Sequence, residues 1–368
     1  MDINEKASLL ALHAISGIGN KTLFNIKEEF GSFSVCLQTD IKNLQKFFSS
    51  TNICNDILLA RTNCISYMET LKSQGIDVVT IEDEAYPEML RNISNAPFLL
   101  YAKGEINLLK EFCIAAVGAR AASPYGKQVA FKFGQELASQ EVVTVSGMAR
   151  GIDTEVHKGT LAANGKTIAV LGSGINIIYP KDNTGLYREI VKKGLVISEF
   201  APGCPPEPGN FPMRNRIISG LSYGVLVIEA RLRSGALITA DFALEQGRDV
   251  FAIPGPITSQ NSEGTNNLIK QGAKLTNCIE DLLEEYYDIR GQKLKNVIQN
   301  ELPLLDDNEA ILIESLDFTP SHFDQLLAVT KLSVGELSMV LLNLEFKGIV
   351  KSMPGNYYVK VTDYFQER

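Results

Sequence analysis

Five short loops in the middle of the chain hold the residues most able to do chemistry. The first, AVGARAASPYG at 116–126, places Gly118 and Arg120 between an apolar run and an amphipathic one. A glycine at a strand-to-helix turn lets an anion approach the backbone, and the first N–H groups of the helix meet it with the positive end of the dipole. A guanidinium adds a fork that suits phosphate. The second loop, VSGMARGID at 145–153, offers Ser146, Gly147 and Arg150 in the same way. Its Asp153 reads either as a helix cap or as a site carboxylate. His157, one turn on, reads as a core or capping histidine rather than a catalyst. The third, LGSGINIIYPKDN at 171–183, has Gly172 and Gly174 followed by Tyr179, Pro180 and Lys181. Lys181 fits a phosphate contact and a solvated surface residue equally. The fourth, FPMRNRIISGLS at 211–222, sets Arg214, Asn215 and Arg216 at a helix start behind Phe211. Guanidinium groups, an amide and a ring can together grip phosphates and stack on a base. The fifth, EARLRSGALITA at 229–240, brings Arg231 and Arg233 before Ser234 and Gly235 at another helix start. Several such loops suit a polyanion with many phosphates better than one mononucleotide.

These loops need a frame that brings them to one edge. From 112 to 285 the runs FCIAAV, VVTV, KTIAVL, GLVIS, GVLVIEA and DVFAI alternate with amphipathic segments about a dozen residues long. That pattern predicts a parallel sheet covered on both faces, whose ligands lie outside the carboxyl ends of the strands. Residues 1–74 predict a small helical domain, in which Gly17 and Gly19 of ISGIGNKTL fit a phosphate-holding helix-hairpin-helix turn or a plain turn. Residues 75–111 read as a connecting segment with one strand, IDVVTI, and 286–300 as a polar linker. Residues 301–368 predict three helices and a hairpin, a winged helix. The expected fold is α/β: an extended Rossmann-like parallel core with a helical N-terminal domain and a winged-helix C-terminal domain.

With 368 residues, 45% hydrophobic and 21% charged, the chain has the composition of an ordinary soluble globular protein. The start, MDINEK, has neither the basic nor the apolar part of a signal peptide, and no apolar run approaches a membrane span of about 18 residues. The expectation is a cytoplasmic protein that does not engage a membrane. Six scattered cysteines with no CxxC pair give no reason to expect a metal. The net charge of −8 is unevenly spread. Residues 112–277 hold 17 Lys and Arg against 13 Asp and Glu, whereas 301–368 hold 5 against 11. A local basic groove suffices for phosphate binding.

The stretches VGARAASPYG, VSGMARGIDTEVHKGTLAANGKTIAVLGSGINIIYPKDN, FPMRNRIISGLS, EARLRSGALITADFALEQGRDVFAIPG and GTNNLIKQGA, in this order, resemble the DNA-processing protein A (DprA/Smf) family. The resemblance implies an extended Rossmann fold that binds single-stranded DNA, forms a homodimer and works with the RecA recombinase. It implies protection of incoming strands in natural transformation and the loading of RecA onto them; the residues themselves, with three histidines and no visible nucleophile-base pairing, give no catalytic residue, cofactor or metal to expect. The family's Gly-Ser-Arg loop is Gly118-Ala119-Arg120 here, so a hydroxyl is lost. Its positive pocket maps onto Arg120, Arg214, Asn215 and Arg216, with Lys181 beside them. Dimer contacts would include the region of GTNNLIKQGA. In the winged helix, SVGELSMVLLNLEFKG has one Lys and two Glu, where a duplex-reading helix presents Arg, Lys, Asn or Gln. A protein-contact or accessory role fits that helix better. Two other readings stand beside this one. A nucleotide or sugar-phosphate hydrolase related to the phosphoribohydrolases would need a Pro-Gly-Gly-x-Gly-Thr loop and a following Glu, where EARLRSGALITA stands. A winged-helix transcription factor would need a cationic recognition helix.

Overall fold

The computed structural model describes residues 1–290, 305–317, 319–347 and 349–360, with the side chains of Arg290, Asp307 and Phe346 excepted. The part of the expected 286–300 linker from 291 onward, and the ends of the expected last domain at 301–304 and 361–368, lie outside the described residues.

Helical spacing of apolar residues near the N-terminus gives six helices: α1 (Ile3–His13), α2 (Asn20–Phe30), α3 (Phe33–Gln38), α4 (Ile41–Phe47), α5 (Thr51–Ala60) and α6 (Cys64–Ser73). Asp2, Ser32, Asp40 and Ser50 cap four of them through side-chain oxygens. Their buried faces, with Leu9, Leu23, Phe33, Leu44 and Ile57, form a cluster that continues into Phe98, Leu99 and Tyr101. Asn20 accepts from the Phe98 amide at 2.6 Å and donates to the Ala96 carbonyl at 2.8 Å. The helices and the sheet therefore share one core. Gly17 takes a positive φ of 92°, and Gly19 stands before the first turn of α2, the turn that Asn20 docks on the 96–98 segment.

The segment after α6 does more than connect. It contributes β1 (Asp77–Thr80) and β2 (Leu99–Gly104), with the short helix α7 (Glu88–Arg91) between them. β1 pairs antiparallel with β2, and β2 pairs antiparallel with β6 (Leu195–Ser198). The six expected strands are β3 (Cys113–Val117), β4 (Val143–Ser146), β5 (Thr167–Leu171), β6, β7 (Gly224–Val227) and β8 (Asp249–Ala252), joined by a short β9 (Lys274–Leu275). Nine strands run in the order β1-β2-β6-β5-β4-β3-β7-β8-β9, parallel from β6 through β9. Between them lie α8 (Pro124–Ser139), α9 (Ile152–Ala162), α10 (Thr184–Lys193), α11 (Asn210–Gly220), α12 (Gly235–Glu245) and α13 (Glu263–Lys270).

Alternate strand residues enter different clusters. Ala115, Val117, Val225 and Val227 pack with α11, α12 and α13, while Ile114, Ala116, Leu226 and Ile228 pack with α8 and α9. The order reverses at β3, whose neighbours β4 and β7 are reached from opposite faces. That is the switch point where an open α/β sheet leaves a crevice. α8 and α9 cross closely because Gly134 and Gly159 meet there. A Cβ on Gly159 would lie 2.0 Å from the Phe131 carbonyl oxygen.

The core also runs further than the expected boundary at 286. α14 (Ile279–Leu283) and the turn after it bring Tyr286 into the interior, where its hydroxyl donates to Asp249 at 2.8 Å beneath Phe251 and Tyr223. α15 (Tyr287–Arg290) follows. The second unit contains α16 (Asp307–Ser315), β10 (Ser321–His322), α17 (Phe323–Thr330), α18 (Val334–Phe346), β11 (Val350–Met353) and β12 (Tyr357–Lys360). Its sheet order is β10-β12-β11, as in a winged helix. Among the described residues no single helix is long and apolar enough to cross a membrane.

Two histidines are held in neutral form, His157 fully buried and His13 half-buried. Burial, then the nearby Arg214 charge, pulls the His157 pKa down to about 3, and burial pulls His13 down to about 4. Unfolding lets both bind protons near pH 6.5, so their contribution is complete above that value and lost as pH falls toward the folded values. His157 alone should cost about 2 kcal/mol of stability between pH 7 and pH 5. Denaturant unfolding at both pH values measures this, and His157→Gln should flatten that part of the dependence.

Candidate nucleic-acid interface

At the switch point the loops after β3 and β7 open a cavity of about 560 Å³. The wall on the β3 side carries Gly118 and Arg120. The other wall carries Arg231, Arg233, Ser234 and Gly235, and the N-terminal turns of α11 and α12 complete it with Phe211, Arg214 and Asn215. A neighbouring cavity shares Arg120, Tyr179 and Phe211 and adds Gly147, Arg150 and Gly172.

Arg214 forms the floor. It is 3% exposed, and its Nη1 donates to the Gly147 carbonyl at 2.7 Å and to the Val170 carbonyl. These acceptors lie just past β4 and within β5. Its Nε donates to Asn215 Oδ1 at 3.2 Å, and the Asn215 amide donates to the Gly235 carbonyl at 3.1 Å. Asn215 thus ties the start of α12 to α11, with both amide atoms engaged by protein. Burial lowers the Arg214 pKa to about 10, with Asp153 opposing the shift and Arg120 adding to it, so the group stays charged at neutral pH. Asp153, also buried, accepts from the Gly147 and Ala149 amides at 3.2 and 3.3 Å. It organises the loop before α9 instead of capping that helix, whose first cap position is Gly151. Burial raises its pKa against the pull of Arg214.

Above the floor, the Arg120 guanidinium stacks 5.0 Å from the Phe211 ring centre, and Tyr179 lies 5.7 Å from the same ring. Arg120 is exposed and makes no ion pair among the described residues. Arg233 is exposed as well, and Arg231 is held by Asn261 Oδ1 at 2.9 Å. Ser234 caps α12 by accepting from the Ala236 amide at 3.3 Å.

The glycines serve packing more than ligand approach. A Cβ on Gly147 would lie 2.5 Å from the Arg214 nitrogens, one on Gly172 2.8 Å from Phe211, and one on Gly118 2.6 Å from Ile152. Gly235 differs from these three: it is open, with no atom within 4 Å of such a Cβ.

Two expected phosphate-binding residues point elsewhere. Arg216 is 4% exposed and donates from Nη2 to Glu199 at 2.6 Å and from Nη1 to the Met213 carbonyl at 3.1 Å, an internal ion pair joining α11 to the end of β6. Ser146 is fully buried and donates to the Ala116 carbonyl at 2.6 Å, stitching β4 to β3. Both are corrected to structural roles. Lys181 is exposed but lines neither cavity, and Arg150 pairs with Asp182 at 2.9 Å. His157 lies in the core against Thr167 at 2.7 Å.

Glu229 and Asn261 were not singled out from the sequence. The buried Glu229 carboxylate accepts from the Ser123 amide at 2.9 Å and its hydroxyl at 2.5 Å, fixing the loop that carries Arg120. Asn261 donates to the Ala121 carbonyl at 3.0 Å while holding Arg231, so it clasps both cationic loops. Glu229 is the only charged residue of the GVLVIEA run, but Asn261 lies in a short turn about 30 residues away and gave no local signal.

Residues 77–287 match the sequence profile of the DNA recombination-mediator protein A family, and residues 299–356 match that of the DprA winged helix domain. Protein Smf of Escherichia coli K12 is 40% identical over 294 residues, covering 78% of this chain and 78% of that protein. DNA processing protein DprA of Streptococcus pneumoniae is 49% identical over 207 residues, covering 56% of this chain and 73% of that protein. The crystal structure of DprA from S. pneumoniae superposes with a TM-score of 0.66 at 38% identity, covering 77% of this chain and 98% of that one. A structure of DprA from Helicobacter pylori, described for its single-stranded DNA binding mode, superposes with a TM-score of 0.53 at 30% identity, covering 58% of this chain and 97% of that one. With the switch-point crevice and the winged unit both matched, this chain belongs to the DNA recombination-mediator protein A (DprA/Smf) family of DNA-processing proteins.

Proposed function

We propose that this protein binds single-stranded DNA at the crevice between the β3 and β7 loops and presents it for recombination. The observation that carries this reading is the cationic ring of Arg120, Arg231 and Arg233 above the charged, buried Arg214, with Phe211 and Tyr179 in the same wall. Exposed guanidinium groups neutralise phosphates, and aromatic rings accept bases of any sequence. The binding set we favour is Gly118, Arg120, Phe211, Arg214, Ser234 and Gly235, with Gly147, Gly172 and Asn215 shaping it and Lys181 near its rim. The single-stranded DNA binding described for the H. pylori relative supports the reading.

Protection of incoming strands in transformation, delivery of bound strands to the RecA recombinase, a cytoplasmic site of action and a homodimer with contacts near 264–273 belong to the same reading. The recombination-mediator family supports them. So does the acidic winged unit, which fits a protein contact better than a duplex. We read the crevice as a binding site and not a catalytic one: His157 faces Thr167 in the core, and Asp153 is engaged by two loop amides.

Fluorescence anisotropy with labelled single strands across a salt series tests this. Arg120→Glu or Arg233→Glu should weaken binding at least tenfold and lower the salt slope by about 0.7 for each phosphate no longer neutralised. Arg216→Gln should act differently. Leaving Glu199 buried and unpaired should cost about 3–5 kcal/mol in denaturant unfolding, while the folded fraction keeps the wild-type slope. A wild-type slope in the Arg120→Glu, Arg233→Glu double variant would refute the assigned site.

A further inference from the structure

The loops after β7, β3, β4 and β5, neighbours in that order, each carry a cation: Arg231 and Arg233, then Arg120, Arg150 and Lys181. Among these, Arg150 differs in being held by a carboxylate. Its Nε and Nη2 both donate to one Asp182 oxygen, at 3.1 and 2.9 Å. Both side chains are mostly exposed, and Arg150 lines the smaller cavity of about 310 Å³ with Arg120, Tyr179 and Phe211. This ion pair is not what joins the two loops. The buried Asn183 amide donates to the Met148 carbonyl at 2.8 Å and to the Thr154 hydroxyl at 2.9 Å, and that hydroxyl donates to the Ala149 carbonyl at 2.6 Å. An exposed ion pair adds little to stability. Arg150 and Asp182 can therefore part while both loops stay in place.

We propose that Asp182 stands in for a phosphate on Arg150, and that a single strand held in the main crevice displaces it. This rests on reading the crevice as a strand-binding site. The two cavities share Arg120, Ala121, Ala149, Tyr179 and Phe211, so they meet over the Arg120–Phe211 stack. The step from Arg120 to Arg150 crosses from the end of β3 to the end of β4, its immediate neighbour in the sheet. A carboxylate oxygen and a phosphate oxygen accept from the same guanidinium fork, so the exchange replaces like with like. The strand has the advantage of tethering: with one phosphate already on Arg120, the next is presented at high effective concentration. Asp182 keeps Arg150 paired until the strand arrives, and its negative charge then opposes binding.

The test uses the full chain and a labelled oligonucleotide of about 16 residues, with anisotropy across a salt series and thermal unfolding to confirm that each variant is folded. Asp182→Asn leaves Arg150 to the strand. Affinity should rise about fivefold, the size of an exposed ion pair, and the salt slope should steepen by about 0.7. Adding Arg150→Gln should remove both gains. Glu207→Gln controls for charge alone. Glu207 is exposed between Pro206 and Pro208 of the crevice wall and makes no ion pair among the described residues, so its field on a strand is at least that of a paired acid. A gain from Glu207→Gln as large as that from Asp182→Asn overturns the proposal, as do unchanged affinity and slope in Asp182→Asn. The Arg150 Nε–H resonance, assigned by its loss in Arg150→Gln, gives a second readout. It should shift when the strand binds wild type, and a resonance that keeps its unbound position also overturns the exchange. If the Arg120→Glu, Arg233→Glu variant binds as wild type does, the crevice reading has failed and the exchange falls with it. With that reading intact, Asp182→Asn judges the exchange alone.

Discussion

A guanidinium sealed beneath the carboxyl ends of β4 and β5 is the constraint on which the rest of the site depends. Removing Arg214 from water is costly, and the cost is offset by the Gly147 and Val170 carbonyls, by Asn215 and by the charge of Asp153. Those partners are themselves held in place. Gly147 must lack a side chain to admit the charge, Asp153 holds the Gly147 and Ala149 amides, and Asn215 reaches the first residue of α12. The positions of three loops and two helix starts thus follow from accommodating one cation. Its charge survives burial, so the floor of the crevice remains positive.

The exposed arginines above it are placed by a different device. Glu229 and Asn261 are not cationic, and Glu229 is buried. They fix the 119–123 turn and the Arg231 side chain against each other, so that Arg120 and Arg231 face the same opening. Pre-positioned cations lose less conformational freedom on binding than free ones, which is where such a clasp adds affinity. Arg120 loses further freedom by lying on Phe211. The family's serine hydroxyl is absent at Ala119, and Ala119 is instead buried, its amide donating to the Glu229 carbonyl at 2.7 Å.

Much of this was legible in the chain. Buried apolar runs with amphipathic segments between them specify a doubly covered parallel sheet, and β3 to β8 lie where those runs lie. The winged unit followed from three helical patterns and a hairpin. What could not be read was which way each arginine turns. FPMRNRIISG places Arg214 and Arg216 two residues apart on a helix, about 200° around its axis. One therefore meets the sheet edge below the crevice and the other meets Glu199, a partner 17 residues distant in sequence. Nor does a glycine in a loop reveal whether it makes room for a ligand or for protein. Gly147, Gly172 and Gly118 make room for Arg214, Phe211 and Ile152, neighbours that exist only in three dimensions. The strand β1 lies where IDVVTI predicted it, but β2 was hidden for a related reason: Pro and Asn breaks obscure a segment whose pairing partner, β6, lies nearly a hundred residues further on.

The charge distribution acquires meaning from this arrangement. An acidic chain gathers four arginines at one opening, where low-dielectric walls concentrate their field. The most direct measurement is a crystal structure of the chain with a bound single-stranded oligonucleotide. The account predicts phosphate oxygens at hydrogen-bond distance from the guanidinium of Arg120 and from the first amides of α12, with a base against Phe211. A strand lying across another face of the sheet, with the crevice solvent-filled, would contradict it.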